Sequence, residues 1–345
     1  MHSQLLTEIF SQPQIIQALT TQRAHIDAIA HAIQQFRPRF VMIAARGTSD
    51  NAARYAQYLF GSMLGWPVAL ATPAIGTLYH ADIHLADALV IGISQSGRSP
   101  DICDVLNRAR AQGALTLAIT NNPVSPLAQS ALHHIDICAG TELSVAATKS
   151  YTNQLAAIAL LTASLAGDTS LQQAMASLTA GIQAVLDIPQ THIDAAATCL
   201  ATAPAALSVG RGYHYATAFE AALKIKELSG LPVEPYSAAD VLHGPVTIVE
   251  QGFPVLVSSD NGATHADTMA LIHRLQSQGA RLVVVSNAPD HLAGASVALP
   301  LPDCDHRIAP ILAIVAWQRV AHATAHQRGR NPDAPQGLQK VTETR

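Results

Sequence analysis

The sequence predicts an α/β protein built from two tandem copies of one domain, each a flavodoxin-like, doubly wound parallel sheet flanked by helices. Three observations carry that expectation. Apolar strand-like runs alternate with helical stretches, the pattern of a parallel sheet covered on both faces. Landmarks recur at one spacing: Arg46-Gly47 returns 165 residues later as Arg211-Gly212, and the turn closing at Gly97 returns at the same offset in PVLVSSDNG, which ends at Gly262. The helix endings NRARAQGALTLAITN and HRLQSQGARLVVVSN then place Gly113 and Gly279 166 residues apart. Finally, 345 residues are long for one core and comfortable for two.

Residues 1–35 read as helical. The first copy is expected over 36–165, opening with the apolar strand Phe40 to Ala45, which runs into Arg46-Gly47. A second strand, Leu89 to Ile93, breaks into Ser94, Gln95, Ser96 and Gly97 and restarts as a helix. Ser99 is its natural N-cap, Pro100 takes the first helical position and Asp101 lies in the first turn. Leu155 to Ala166, interrupted by Thr162 and Ser164, is too short to span a bilayer and reads as a buried helix. A helical connector is expected over 166–198. The second copy, 199–330, contains the strand Ala206 to Gly210 and a helix from Ala218 to Leu228. The tail, 331–345, carries Pro332, Pro335 and Gly337 and should be irregular.

Composition narrows the function classes. Charged residues make up only 13% and the net charge is −4, without a Lys/Arg cluster, which argues against a nucleic-acid partner. Cys103, Cys138, Cys199 and Cys304 are scattered, with no C-x-x-C pair, as expected of free thiols in a reducing compartment. The opening residues lack a basic segment followed by an apolar core. The expectation is a cytoplasmic protein with no membrane partner. His80/His84 and His322/His326 have i, i+4 spacing, but neither lies in an H-E-x-x-H pattern or has an evident third ligand, so no metal is expected.

The segment LVIGISQSGRSPD, Leu89 to Asp101, carries the clearest chemistry. Free N–H groups at a helix N-terminus and the positive end of the helix dipole hold a phosphate, and serine hydroxyls add neutral donors. Gly47, Thr48 and Ser49 place further hydroxyls beyond another strand. Taken alone, each loop is also what an ordinary strand-to-helix turn looks like. On the later helix, Glu220, Lys224 and Glu227 stand at i, i+4 and i+7 and share a face. By spacing alone they describe a solvated salt-bridge face. Gly210-Arg211-Gly212 followed by Glu234 raises a dinucleotide site, but the third glycine is missing and Tyr213, His214 and Tyr215 would crowd a pyrophosphate.

The pairing of ARGTSDNAARYAQYLFG with SQSGRSPD, together with the duplication, resembles the SIS (sugar isomerase) domain family. ELSVAATKSY (142–151), GRGYHYATAFEAALKIKELSG (210–230) and VLHGPV (241–246) resemble the isomerase half of glucosamine-6-phosphate synthase and its relatives. This likeness implies that Ser49, Ser94, Gln95, Ser96 and Ser99, with Gly47 and Thr48, hold a sugar phosphate; Ser99 stands where the synthase has Thr. It implies that Glu227 carries a proton between C1 and C2 of an opened sugar, work suited to a carboxyl whose pKa is raised by burial. Glu220 and Lys224 would hold and polarise the sugar. His243 would open the ring by shuttling a proton between O5 and O1, reaching the site from the other subunit of a homodimer. Val145 and Ala147 match a segment whose backbone meets the sugar. APQGLQKVTETR puts Lys340 at a substrate-contacting position, followed by Val341 where the synthase has Ser.

Two departures bear on the reaction. The chain opens Met1-His2-Ser3 and its first cysteine is Cys103, so glutamine hydrolysis by an N-terminal cysteine is not expected of it. Arg46 stands where the synthase has Cys, and R-G-[ST]-S-D with S-Q-S-G-R-S-P-D and a final G-L-x-K-V-T resembles the SIS-type glucosamine-6-phosphate deaminases. The resemblance therefore implies isomerisation with hydrolytic release of ammonia from a phosphorylated amino sugar, giving fructose 6-phosphate without a metal or redox cofactor. A deglycase or isomerase acting on galactosamine 6-phosphate or a fructosamine 6-phosphate would need the same loops and base. A non-catalytic sugar-phosphate sensor is a third reading, although 35 N-terminal residues leave little room for a helix-turn-helix.

Overall fold

The structure, a computed structural model, describes residues 3–340. Val341 and Thr342, which entered the tail resemblance, lie outside the described residues, as do Met1 and His2.

The chain opens with helices α1 (Gln4–Phe10), α2 (Gln12–Leu19) and α3 (Arg23–Phe36). The first sheet is made of β1 (Phe40–Ala44), β2 (Val68–Leu70), β3 (Ala88–Ser94), β4 (Leu115–Thr120) and β5 (His133–Asp136). Between these strands run α4 (Thr48–Leu64), α5 (Ala74–Thr77), α6 (Pro100–Ala111) and α7 (Pro126–Ser130). There follow α8 (Lys149–Ala166), α9 (Thr169–Ala176), α10 (Leu178–Leu186) and α11 (Gln190–Ala201). The second sheet comprises β6 (Ala206–Gly210), β7 (Val233–Ser237), β8 (Pro254–Ser258), β9 (Arg281–Ser286) and β10 (Val297–Pro300). Its helices are α12 (His214–Ser229), α13 (Ala238–Val241), α14 (His265–Ser277), α15 (Pro289–Ala293) and the closing α16 (Ala309–Gln327).

Both sheets are parallel and have the same order. The first runs β2-β1-β3-β4-β5 and the second β7-β6-β8-β9-β10, so the repeat inferred from residue spacing is a repeat of topology. Strands β3, β4, β6 and β8 are buried along their whole length, as expected of strands covered on both faces. In this strand order the chain reverses direction across the sheet between β1 and β3, and between β6 and β8. Ligands bind outside the strand ends at such a switch point. The loops after β1 and β3 are those that carry the serines.

Two compact units divide the chain. One gathers 14–142, 149–176 and 339–340; the other gathers 3–13, 143–148 and 177–338. Each has a central helix buried nearly all round. In the first it is α8, packed on α4 and α3; in the second it is α16, packed on α12, α11 and α10. Residues 3–13 are tied to the rest of the second unit through polar contacts. Asp333 accepts from the Ser3 hydroxyl at 2.9 Å and from the Leu5 N–H at 2.8 Å, and Gln12 donates to Gln318 at 2.8 Å. Among the described residues no helix is long and apolar enough to cross a membrane. The four cysteines are free, and burial raises the pKa of each thiol, that of Cys304 to about 12.

Two expectations follow for stability. At Gly210, where β6 meets the first turn of α12, an added Cβ would stand 2.0 Å from the His214 carbonyl oxygen. That neighbour is backbone and cannot rotate away, so Gly210→Ala should cost on the order of 3 kcal/mol or more and lower the melting temperature by roughly 6 °C or more; an unchanged melting curve would contradict the close approach. Buried histidines make the fold acid-sensitive. Burial, with His326 alongside, pushes the His322 imidazole down to about 4. Burial also lowers His133, His134 and His291. Such rings are neutral in the fold and take up protons on unfolding, so their stabilisation is complete above about pH 6.5 and is lost as pH falls below it. Denaturant midpoints should fall between pH 7 and pH 5, and His322→Gln should narrow that difference.

Candidate functional site

In the unit holding 14–142, two neighbouring strand ends carry the predicted anion loops. β1 and β3 pair directly, Phe40 opposite Ala88 through Ala44 opposite Gly92. After β1, Gly47 adopts a left-handed φ of 54° and leads into α4, whose first residues are Thr48 and the buried Ser49. The Ser49 Oγ accepts from Gln154 Nε2 at 3.0 Å. After β3, the Ser94 Oγ accepts the Gly97 N–H at 3.0 Å and closes the turn. The Ser96 Oγ accepts from the Arg98 N–H at 3.4 Å, and Gln95 accepts the Asn121 N–H on its carbonyl. Gly97 has a φ of 64°, and a Cβ there would lie 2.2 Å from the Ser125 hydroxyl, so glycine is required twice over. Ser99 occupies the N-cap position of α6 but makes no side-chain capping bond. A hydroxyl that accepts a backbone N–H still has its own proton to donate, so these loops present neutral donors beside two helix N-termini. A cavity of about 350 Å³ opens beside the turn after β1, lined by Arg46, Gly47, Asp50, Arg54 and Thr72 among others and by none of residues 94–99.

In the second copy the corresponding loop carries a charge. There the Gly262 N–H donates to Asp260 Oδ1 at 2.7 Å, and Asp260 Oδ2 lies 3.2 Å from His214 Nε2, both side chains being buried. Burial alone would raise the Asp260 pKa, but the contact and charge of His214 and the Gly262 N–H outweigh it and hold the carboxyl below its ordinary value. This cradle contains an anion of its own. Close by, His265, Asp290 and His291 have the spacing of metal ligands. Both ring nitrogens of His291 are already bonded, to the Ser259 hydroxyl at 3.0 Å and the His265 carbonyl at 3.1 Å, and the two rings stack at 4.4 Å. Stacked imidazoles aim their lone pairs in parallel planes rather than at one point.

The triad on α12 is not a solvated face. Glu220 and Lys224 are fully buried, and Glu227 keeps 22% of its side chain exposed. Lys224 Nζ lies 3.5 Å from Glu220 Oε1 and donates a short hydrogen bond to Glu227 Oε2. Small residues explain the burial: Ala216, Ala218, Ala221 and Ala222 let α12 pack closely against α16 and β7. A buried ammonium needs partners, and two carboxylates supply them. Glu227 also lines a cavity of about 520 Å³, together with Lys226, Arg330, Asn331 and Gln336.

The remaining predicted residues are placed separately. His243 lies in the exposed turn after α13, beside Gly244 with a φ of 151°. Val145 and Ala147 are half-buried in a loop that is held by its backbone: Leu143 and Ser144 donate N–H bonds to Glu8 at 2.6 and 3.2 Å, and the Thr148 carbonyl accepts from Gln318 at 3.3 Å. Lys340 Nζ donates to Glu142 Oε2 at 2.8 Å, and the same buried carboxylate accepts from the Ser150 hydroxyl at 2.8 Å. Glu8, Glu142 and Gln154, which orient these groups, were not singled out in the sequence. A signal was available for one of them. Thr152, Asn153 and Gln154 form a polar run on the helix that reads as the most apolar of the chain, and buried polar side chains there need partners.

Residues 37–164 and 200–314 match the SIS domain. A glutamine–fructose-6-phosphate aminotransferase (isomerizing) from Methanothermobacter thermautotrophicus is 32% identical over 340 residues, 97% of this chain and 56% of that protein. The one from Gloeobacter violaceus is 33% identical, over 87% of this chain and 51% of the relative. The chain thus spans about half the length of these curated relatives. Among solved structures, a protein from Silicibacter pomeroyi described as a candidate phosphosugar isomerase is 35% identical with a TM-score of 0.86, over 96% of this chain and all of that one. A glucosamine-6-phosphate deaminase from Thermotoga maritima shares the fold, with a TM-score of 0.77 at 20% identity over 99% of this chain and 100% of that one. Two matched SIS segments covering most of the chain, one in each parallel sheet, make this protein a member of the SIS domain family.

Proposed function

We propose that this protein is a phosphosugar isomerase that works as a glucosamine-6-phosphate deaminase. The observation that carries the reading is the α12 triad, in which the buried Lys224 is shared between Glu220 and a Glu227 that reaches a cavity. A surface salt-bridge face would leave all three side chains in water. Here one carboxylate is held by a cation and still open to a ligand, the condition a proton-transferring base must meet.

The steps follow from the chemistry of the groups. The loops at 47–49 and 94–99 hold the phosphate through hydroxyl and backbone donors. His243 moves a proton between ring and anomeric oxygens to open the pyranose; its exposure in this chain fits a ring supplied to the site of a second copy. Glu227 takes the C2 proton of the opened sugar, leaving an enolamine, and returns it to C1. The resulting C2 imine adds water and expels ammonia, giving fructose 6-phosphate. Lys224, with Glu220 behind it, orients Glu227. The choice of deamination rests on Arg46 in R-G-T-S-D, where the synthase resemblance has Cys. A second reading is favoured by the Glu227 cavity, whose volume and lining of Lys226, Arg330 and Gln336 would accept a larger N-substituted amino sugar. That substrate calls for a deglycase.

Ammonia release from glucosamine 6-phosphate, galactosamine 6-phosphate and a fructosamine 6-phosphate separates the readings. None from the first would overturn the deaminase assignment. Glu227→Gln should lower kcat by about 10²–10⁴ and abolish solvent deuterium incorporation at C1, with the melting curve retained; activity within a fewfold of wild type would remove Glu227 as the base. Ser96→Ala should raise KM about tenfold, the loss expected for one hydrogen bond to a charged group, with kcat nearly unchanged. A kcat effect without a KM effect would place Ser96 elsewhere in the reaction.

A further inference from the structure

The Arg-Gly turn after the first strand of each copy ends in the same contact. Arg46 Nε and Nη2 both reach Asp101 Oδ2, at 2.9 and 2.8 Å, while Asp101 Oδ1 accepts the Ile102 N–H at 2.9 Å. In the second copy Arg211 Nε meets Asp267 Oδ2 at 2.8 Å. Both acids lie in the first turn of the helix that follows the Ser-rich loop, α6 in one copy and α14 in the other. The bridge therefore belongs to the duplicated scaffold. What differs is its surroundings. Asp101 is 1% exposed, whereas Asp267 is 60% exposed and screened by water. Only the first copy keeps its loop N–H on a neutral hydroxyl; in the second the Asp260 carboxylate takes it.

A buried carboxylate at the N-terminus of α6 is a problem for an anion cradle. It draws on the same helix-end potential that a phosphate would use, and it repels a dianion bound at the adjoining loop in a poorly screened place. We propose that Arg46 is the charge-balancing residue of the phosphate cradle, acting on the bound anion through Asp101: the pair is neutral, so the donors of 94–99 remain available to phosphate. This rests on the reading of loops 47–49 and 94–99 as the phosphate site. Arg46 is here a positioning residue, not a group that reacts.

Charge balance makes the two halves of the bridge act in opposite directions, whereas a mere tie between loops would make them act alike. Titration of the full chain with inorganic phosphate, read by calorimetry and by melting temperature, tests this. Arg46→Gln should weaken phosphate binding about tenfold and raise KM for glucosamine 6-phosphate with little change in kcat. Asp101→Asn, which keeps an acceptor for Ile102 but removes the charge, should bind phosphate as tightly as wild type or tighter. The double variant should return to near wild-type affinity, and Arg211→Gln should leave it unchanged. Should Arg46→Gln fail to fold, Asp101→Asn alone decides. Weaker phosphate binding in Asp101→Asn, or wild-type binding in a folded Arg46→Gln, overturns the inference. A wild-type protein that ignores phosphate altogether instead removes the cradle, and the functional reading with it.

Discussion

Backbone N–H groups at the end of a parallel strand need an acceptor, and the two copies of this chain meet that need in different ways. In the first, Gly97 donates to the neutral hydroxyl of Ser94; in the second, Gly262 donates to the carboxylate of Asp260. Strand order and switch point are the same, but the turns differ: Gly97 sits at a φ of 64° and bonds a side chain three residues back, whereas Gly262 bonds one two residues back. The identity of one acceptor decides what each turn can do next. A hydroxyl leaves the local potential positive and contributes a proton, so an external anion is welcome. A carboxylate fills that role itself, and the buried His214 lies 3.2 Å from it. The duplication preserved the scaffold while its two loops took different acceptors.

The α12 triad applies the same accounting to a cation. Lys224 is removed from water at a cost of several kcal/mol in an effective low dielectric, and no arrangement with a single carboxylate at 3.5 Å would be expected to recover it. Glu227 supplies the shorter contact and keeps part of its surface exposed. The cluster is thus over-determined around the lysine and open at one end. An unpaired base would be mobile and fully hydrated; a base paired on both oxygens could not reach a substrate. One anchored oxygen and one accessible edge is the arrangement between those limits.

Local chemistry was legible in the sequence and long-range pairing was not. The Ser99-Pro100-Asp101 helix start, the strand Ala206–Gly210 and the offset between Arg46 and Arg211 depend on residues adjacent in the chain or repeated within it. Periodicity placed Glu220, Lys224 and Glu227 on one face but carried no information on which way that face points. An alanine-rich helix can be buried on more than one side, and the tertiary partner, α16, begins 80 residues after the last residue of α12. The supports of the site are harder still. Glu8 meets Leu143, Gln154 meets Ser49, and Glu142 meets Lys340. Each joins residues more than a hundred positions apart, and a single polar residue on an otherwise ordinary helix gives no sign of its partner.

Those distant supports share one physical trait. Each is a buried or half-buried polar side chain, and for Glu8 and Glu142 the partner is a backbone group or a lysine of a segment that has no regular structure of its own, whereas Gln154 meets a hydroxyl in the first turn of α4. Loops 143–148 and 338–340 have no ladder to hold them, so their conformations depend on which acceptors the helices present. Glu8 fixes the first by taking two successive N–H groups, and Glu142 fixes the second by taking an ammonium while its other bonds tie it to the start of α8. Buried carboxylates are costly, and a fold needing only stability would do as well with apolar side chains of similar volume. Their presence at irregular segments, and not within the sheets, is explained if the shape of those segments matters in itself. That is the requirement of a binding site whose backbone must meet a ligand at a defined place.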